Sequence, residues 1–203
     1  MPTTDELLSD IQPDAARRLV IAALTSFATR GYHATTTRDI STGSGMSPAA
    51  LYVHYASKED VLFHIGRFAH ESALAAVREA AGPHGAPADR VRAIVRAFTV
   101  WHARHHLLAR VAQYELGALS PDHHRAVAKV RRQTEHVLQA EIEQGAVSGD
   151  FDVPDVRNVT RAVLSLGIDV ARWFRGGAGP TPEALGETYG ELAVRMLRST
   201  VDN

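Results

Sequence analysis

The sequence predicts an all-α protein: a three-helix N-terminal helix-turn-helix head followed by a larger helical-bundle body, with about nine helices in all. Three observations predict it. Apolar residues recur at three- and four-residue steps along nearly the whole chain, and no stretch alternates as a strand would. Breakers cut that pattern into helix-length pieces: Gly31, Gly43-Ser44-Gly45, Pro48, Gly82-Pro83, Pro87, Ser120-Pro121, Gly149, Pro154, Gly176-Gly177 and Pro180-Thr181-Pro182. Two short pieces near the N-terminus are joined by a glycine-containing turn, the layout of a helix-turn-helix.

Taken in order, the pattern places helices over 14–30, 37–43, 48–54, 58–80, 87–106, 107–117, 121–145, 155–174 and 183–199. Residues 1–13 are acidic and read as a flexible arm. The head spans 1–60 and the body 61–203. Helix 14–30 carries an apolar stripe of Val20, Ala23, Leu24 and Phe27 and stops at Gly31, a residue suited to a left-handed cap. Thr36, with Asp39 three residues on, starts the next helix as a capping box. Ser47 as N-cap and Pro48 at the first helical position open 48–54. Leu51 and Tyr55 mark the inward flank of that short helix, leaving Ala49, Ala50, Tyr52 and Val53 for a major groove. Ser57 caps helix 58–80. Lys58, in its first turn beside free backbone N–H groups, reads as a phosphate clamp.

Hydrophobic residues make up 45% of the chain and charged residues 22%, a balance that supports a packed core. With no cysteine, disulfides and thiolate metal sites are excluded. No apolar run approaches the roughly 18 residues needed to cross a bilayer, and the N-terminus lacks the character of a signal peptide. The expectation is a cytoplasmic protein with no membrane partner. A net charge of −1 argues against nucleic acid only at first sight. Between Asp14 and Lys58, Arg17, Arg18, Arg30, Arg38 and Lys58 face only Asp14 and Asp39, so the head is locally basic.

The stretch Gly31-Tyr32-His33-Ala34-Thr35-Thr36-Thr37-Arg38-Asp39-Ile40, followed by Gly45-Met46-Ser47-Pro48-Ala49-Ala50-Leu51-Tyr52-Val53-His54-Tyr55-Ala56-Ser57-Lys58-Glu59, resembles the N-terminal signature of the TetR/AcrR family of transcriptional regulators. The match runs from Ala15 to Glu59. It departs from the pattern at Ser41, Gly43 and Ser44, where alanines are usual, and at Met46, Ala49 and Tyr55. The resemblance implies that Thr36, Thr37, Tyr52, His54 and Lys58 contact the DNA backbone, and that Arg38, Ser47, Pro48 and Ala49 lie at or near base edges. The implied partners are a double-stranded DNA operator, a second copy of the chain and a small-molecule effector.

In the body, Val156, Val159, Val163, Leu166, Val170 and Trp173 form one continuous seam, and Leu185, Tyr189, Leu192 and Met196 repeat the pattern in the last helix. These two helices are expected to make the dimer, as the family resemblance also implies. Phe98, Trp101, His102 and His105 share an inward stripe, with Phe68, Tyr114, Val137 and Glu141 offered by other helices. Such residues either line a ligand chamber or fill the core, each histidine bonded to a backbone carbonyl. The family resemblance favours the chamber. The run Asp169-Val170-Ala171-Arg172-Trp173-Phe174-Arg175-Gly176-Gly177, with Thr181-Pro182-Glu183 and Tyr189, is similar to a TetR subgroup governing fatty-acid and sterol catabolism, which implies an acyl-CoA or related lipophilic acid as effector.

His102, His105 and His106, and the pair His123-His124, have helical spacing that a metal could use, but no carboxylate completes the pattern; no metal or cofactor is expected. Nor does any nucleophile elbow, phosphate loop or dinucleotide fingerprint point to an enzyme. The reading is therefore a repressor released from a palindromic operator by a lipophilic effector. Its rival is a helical small-molecule-binding or enzymatic protein that never meets DNA.

Overall fold

A computed structural model describes residues 3–83, 85–177 and 179–198. Among these, all regular structure is helical: α1 (Thr4–Leu8), α2 (Asp14–Arg30), α3 (Thr37–Gly43), α4 (Pro48–His54), α5 (Lys58–Ala81), α6 (Pro87–Arg104), α7 (His106–Tyr114), a 3₁₀ turn (Leu116–Ala118), α8 (Pro121–Ser148), α9 (Val156–Trp173) and α10 (Pro182–Leu197). The all-α expectation is met. The expected end of the last helix at Ser199 lies outside the described residues, as do Met1 and Pro2 of the expected arm.

Within the segment expected as an arm, Thr3 and Glu6 form a reciprocal capping box that starts α1, and Leu8 is buried. Around 105–119 the chain also breaks where one helix was expected to follow directly on another. His105 leaves helical geometry between α6 and α7, and Glu115 separates α7 from the 3₁₀ turn.

The chain forms two compact units. One contains the chain up to His70 together with Leu107–Lys129; the other contains Glu71–His106 and the chain from Val130 onward. In the first, α2, α3 and α4 pack on one another. Leu19, Val20, Ala23 and Phe27 of α2, Ile40 of α3 and Leu51 of α4 are buried there, with Val61, Leu62 and Ile65 of α5. Gly31 ends α2 at φ 83°, a conformation that a side chain would strain.

In the second unit α6 packs against both α9 and α10. Val91, Ile94, Val95 and Phe98 of α6 join Val163 and Leu164 of α9, Val194 of α10, and Leu138 and Ile142 of α8 in one apolar cluster. The α6–α10 contact is unusually close. A Cβ on Gly190 would lie 2.9 Å from the Arg92 carbonyl, and one on Gly186 would lie 2.6 Å from Val100 Cγ2. Flanking these glycines, Arg92 meets Glu191 at 2.5 Å, and Arg96 and Arg104 pair with Glu187 and Glu183. Exposed pairs of this kind each stabilise little, but they reinforce one register. No described helix is long and apolar enough to cross a membrane.

Candidate functional site

Helix α3 begins where the sequence places it. The Thr36 hydroxyl accepts from the Asp39 amide at 3.1 Å, and the Asp39 carboxylate accepts from the Thr36 amide at 2.8 Å. The Thr36 hydroxyl, which donates to this carboxylate at 2.7 Å, and then the Thr36 amide, with Arg30 3.5 Å away, hold the Asp39 carboxyl below its usual range. Helix α4 starts at Ser47 with Pro48 in its first turn, but the Ser47 side chain makes no capping hydrogen bond. Leu51 is buried beneath α4, as is Tyr55 just after it. The opposite face is open: Tyr52 is 58% exposed and Val53 78%. Arg38, Ser47, Pro48, Ala49 and Thr36 are exposed too, and Thr37 and His54 are half-buried. The residues on α3 and α4 expected to contact DNA are thus exposed or half-buried, while Ile40, Leu51 and Tyr55 anchor the two helices from behind. A helix so shallowly seated can present side chains to a groove without disturbing its support.

Lys58 is placed differently. Its ammonium donates to the carbonyls of Tyr32 at 2.9 Å and Thr35 at 2.7 Å and sits 4.0 Å above the Tyr32 ring. Ser57 caps α5 as expected, its hydroxyl accepting from the Asp60 amide at 3.0 Å. The loop before α3 is also held from its other side, because the Tyr32 amide donates to Glu115 at 3.2 Å. Sequence reasoning missed this contact. No local signal announces it, since the two residues are 83 apart.

The predicted effector residues divide. Phe98, Trp101, His102 and His105 form a buried aromatic run, with ring centroids 4.2 Å apart for Phe98–His102 and 5.3 Å for Trp101–His105. Val137 packs against the cluster containing Phe98. His102 makes a 2.8 Å hydrogen bond with the Phe98 carbonyl, and Trp101 donates to Ser72 at 3.1 Å. Burial pushes both His102 and His105 down to about 4; the Phe98 carbonyl partly opposes this at His102, and Arg104 adds to it at His105. Both are therefore neutral at physiological pH. Glu141 is engaged by Arg90 at 2.6 Å. Phe68 and Tyr114 belong to the other compact unit. Tyr114, expected to face inward, is 53% exposed: Leu108, Ala109, Val111 and Ala112 take the inner side of α7. Arg172 pairs with Asp169 at 2.6 Å. Among the described residues no group of three metal-ligating side chains converges. His123 instead bonds Glu59 at 2.9 Å and stacks on Phe63.

Of the expected dimer seam, Val163, Val170 and Leu185 are buried within the chain itself, against α6 and the adjoining core. Leu166, Trp173, Leu192 and Met196 are 39%, 39%, 42% and 50% exposed. Val159 and Tyr189 lie between these extremes. The apolar stripe is wider than one helix face: α6 covers its centre and leaves a flank outside.

A head of this shape, with a short exposed helix after a capped one, matches known proteins along nearly its full extent. The model for bacterial regulatory proteins of the tetR family matches residues 14–65, and that for the tetracyclin repressor-like C-terminal domain matches 84–197. The chain belongs to the TetR family. It is a helix-turn-helix transcriptional regulator. Among its relatives, the HTH-type transcriptional repressor KstR2 of Mycobacterium tuberculosis is 28% identical over 176 residues, covering 84% of this chain and 86% of that protein. The structure of that ketosteroid regulator superposes with a TM-score of 0.82 at 25% identity, covering 94% of this chain and 97% of the other. A tetR-family protein from Rhodococcus RHA1 gives a TM-score of 0.89 at 43% identity, over 94% and 100% of the two chains. AibR, whose crystal structure contains isovaleryl coenzyme A and operator DNA, shares the fold at a TM-score of 0.78 and 21% identity, over 90% and 97%.

Proposed function

We propose that this TetR-family regulator is a homodimeric, cytoplasmic repressor, released from a palindromic operator by a lipophilic effector of the acyl-CoA class, and that it carries no catalytic step. The observation that carries the reading is the open face of α4, with Tyr52 exposed above a buried Leu51. Residues 1–60 read DNA: Thr36, Thr37, Tyr52 and His54 toward the backbone, and Arg38, Ser47, Pro48 and Ala49 at base edges. Residues 61–203 pair and sense. Leu166, Trp173, Leu192 and Met196 supply exposed apolar groups that a second copy would cover, which supports pairing through α9 and α10. The aromatic run from Phe98 to His105 supplies the apolar wall of an effector site. The effector class follows KstR2, a ketosteroid regulator, and AibR with its acyl-CoA.

The test has two arms. A duplex from the gene's own upstream region should be bound by the wild type and released by isovaleryl or longer-chain acyl-CoA, with matching quenching of tryptophan fluorescence. Leu192→Glu should yield folded monomers in sedimentation and weaken operator binding at least tenfold, because only paired heads span both half-sites. A Leu192→Glu protein that stays dimeric refutes the interface; release by no acyl-CoA refutes the effector class.

A further inference from the structure

We propose that Ser41 and Gly43 set how strictly the head discriminates between operators. They leave α3 loosely seated on α2, so that α3 and α4 settle into one arrangement only on DNA. Ser41 is fully buried in α3, yet among the described residues its hydroxyl has no hydrogen-bond partner. A hydroxyl taken out of water without a partner costs folding free energy that a methyl group would not. Two residues on, Gly43 ends α3 beside Ala22 of α2, where an added Cβ would lie 3.4 Å from the Ala22 Cβ. Its φ is not positive, so the backbone does not require glycine there. A cleft of about 290 Å³ runs between the two helices at this end, lined by Arg18, Ile21, Ala22 and Thr25 of α2 and by Gly43 and Ser44.

The hydrogen bonds that finish α3 stay within it and the turn that follows. The Ser44 amide donates to the Ile40 carbonyl at 3.0 Å and its hydroxyl to the Ser41 carbonyl at 2.8 Å. The Gly45 amide donates to the Thr42 carbonyl at 3.0 Å and the Met46 amide to the Ser41 carbonyl at 2.9 Å. These bonds make α3 and its turn one piece, and none of them reaches α2. Ile40 is the one apolar side chain that α3 buries. The Arg30–Asp39 pair, at 3.5 Å and well exposed, adds little hold from α2. Because α4 packs on α3, a tilt of α3 about Ile40 carries the recognition helix with it. A reader that must be ordered on DNA binds its best site less tightly than a preformed one, but it can follow an imperfect site. This role rests on the DNA-binding reading above.

The full-length protein, a duplex it enriches from a random-sequence pool and the single-base variants of that duplex provide the test. Ser41→Ala and Gly43→Ala, alone and together, should slow exchange of the Ile40 and Ser44 amides in the DNA-free protein. The double variant should bind the enriched duplex about threefold tighter, and its preference for that duplex over the single-base variants should rise about threefold. Thr99 of α6, a second buried hydroxyl without a partner among the described residues, gives the control. Thr99→Val should raise the melting temperature and leave the preference within about 1.5-fold of wild type. Unchanged exchange, a preference that does not rise while exchange slows, or an equal rise in Thr99→Val overturns the proposal. If the double variant does not fold, the single variants carry the same comparison; if neither of those folds, alanine does not fit the seat and the looseness is refuted. A wild type that enriches no duplex removes the DNA-binding reading and this role with it, whereas an unmoved preference removes this role alone.

Discussion

Helices α3 and α4 bury Ile40, Ser41 and Leu51 and little else, whereas α6 is buried along most of its length from Ala88 to Ala103. The first pair is held by caps and loop contacts, the Thr36–Asp39 box and the Lys58 and Glu115 bonds, together with two buried aliphatic side chains, Ile40 and Leu51. The second set is held by volume, with Phe98 against Gly167 and α10 flush on the carbonyls of α6. A reader of DNA keeps its recognition surface wet and gains its orientation from hydrogen bonds. A scaffold excludes water and gains its orientation from packing density. Mutations should therefore separate the two, costing stability in one and affinity in the other.

The largest effect should come from charging the scaffold. Val163→Asp would place an uncompensated carboxylate in a site only 1% exposed and should cost about 3–5 kcal/mol in urea unfolding. Leu166→Asp, three residues on and 39% exposed, should leave the protomer folded and act on dimerisation instead. Equal destabilisation by both would erase the boundary drawn between core and interface.

Next in size is a pH effect confined to the scaffold. Burial lowers His102 from an ordinary 6.5 to about 4, so the unfolded chain binds the proton more readily than the folded one. Stability is then fully present above pH 6.5 and falls as the pH drops from 6.5 to about 4, with His105 acting in the same direction. The loss from His102 alone is on the order of 3 kcal/mol. His102→Gln should flatten the dependence of the urea midpoint between pH 7 and 5; an unchanged slope would mean the histidine does not titrate with unfolding.

The smallest effect on stability should be the cap. Thr36→Ala removes the α3 N-cap and should cost about 1 kcal/mol locally. It should lower operator affinity while barely moving the melting temperature. A melting shift as large as that of Val163→Asp would mean the head and the scaffold are not held by separate means.

The parts of this arrangement that the sequence discloses are those with local grammar. Thr36-x-x-Asp39, Ser47-Pro48 and Gly31 each announce a helix end through nearby backbone groups, and all three fall where they were read. The same grammar was present in Thr3-x-x-Glu6, where the acidic composition of the segment obscured it. Periodicity reveals that a helix has an apolar face but not what covers it. Val163 and Leu166 belong to one stripe by spacing, yet α6 takes the first and leaves the second in solvent. Tyr114 lies at the last residue of α7 and is 53% exposed, while Leu108, Ala109, Val111 and Ala112 take the inner side, a placement that spacing alone does not reveal. The Glu115–Tyr32 bond had no local signal, because its partners meet only through the tertiary fold.

The flush seating of Gly186 and Gly190 on α6 also bears on how the protein is made. The ion pairs beside them join residues 91 and 99 positions apart, Arg96 with Glu187 and Arg92 with Glu191. Contacts of such separation form only after much of the chain has been ordered, and they slow folding. During synthesis the face of α6 that the two glycines cover must wait, bare, until residues 182–197 have been translated. The nascent protein thus carries this face of α6 uncovered while the chain from residue 105 to 197 is made, a state in which chaperones and aggregation compete for it. A mutation that slows docking of α10 would reduce yield in the cell even where the finished protein is no less stable.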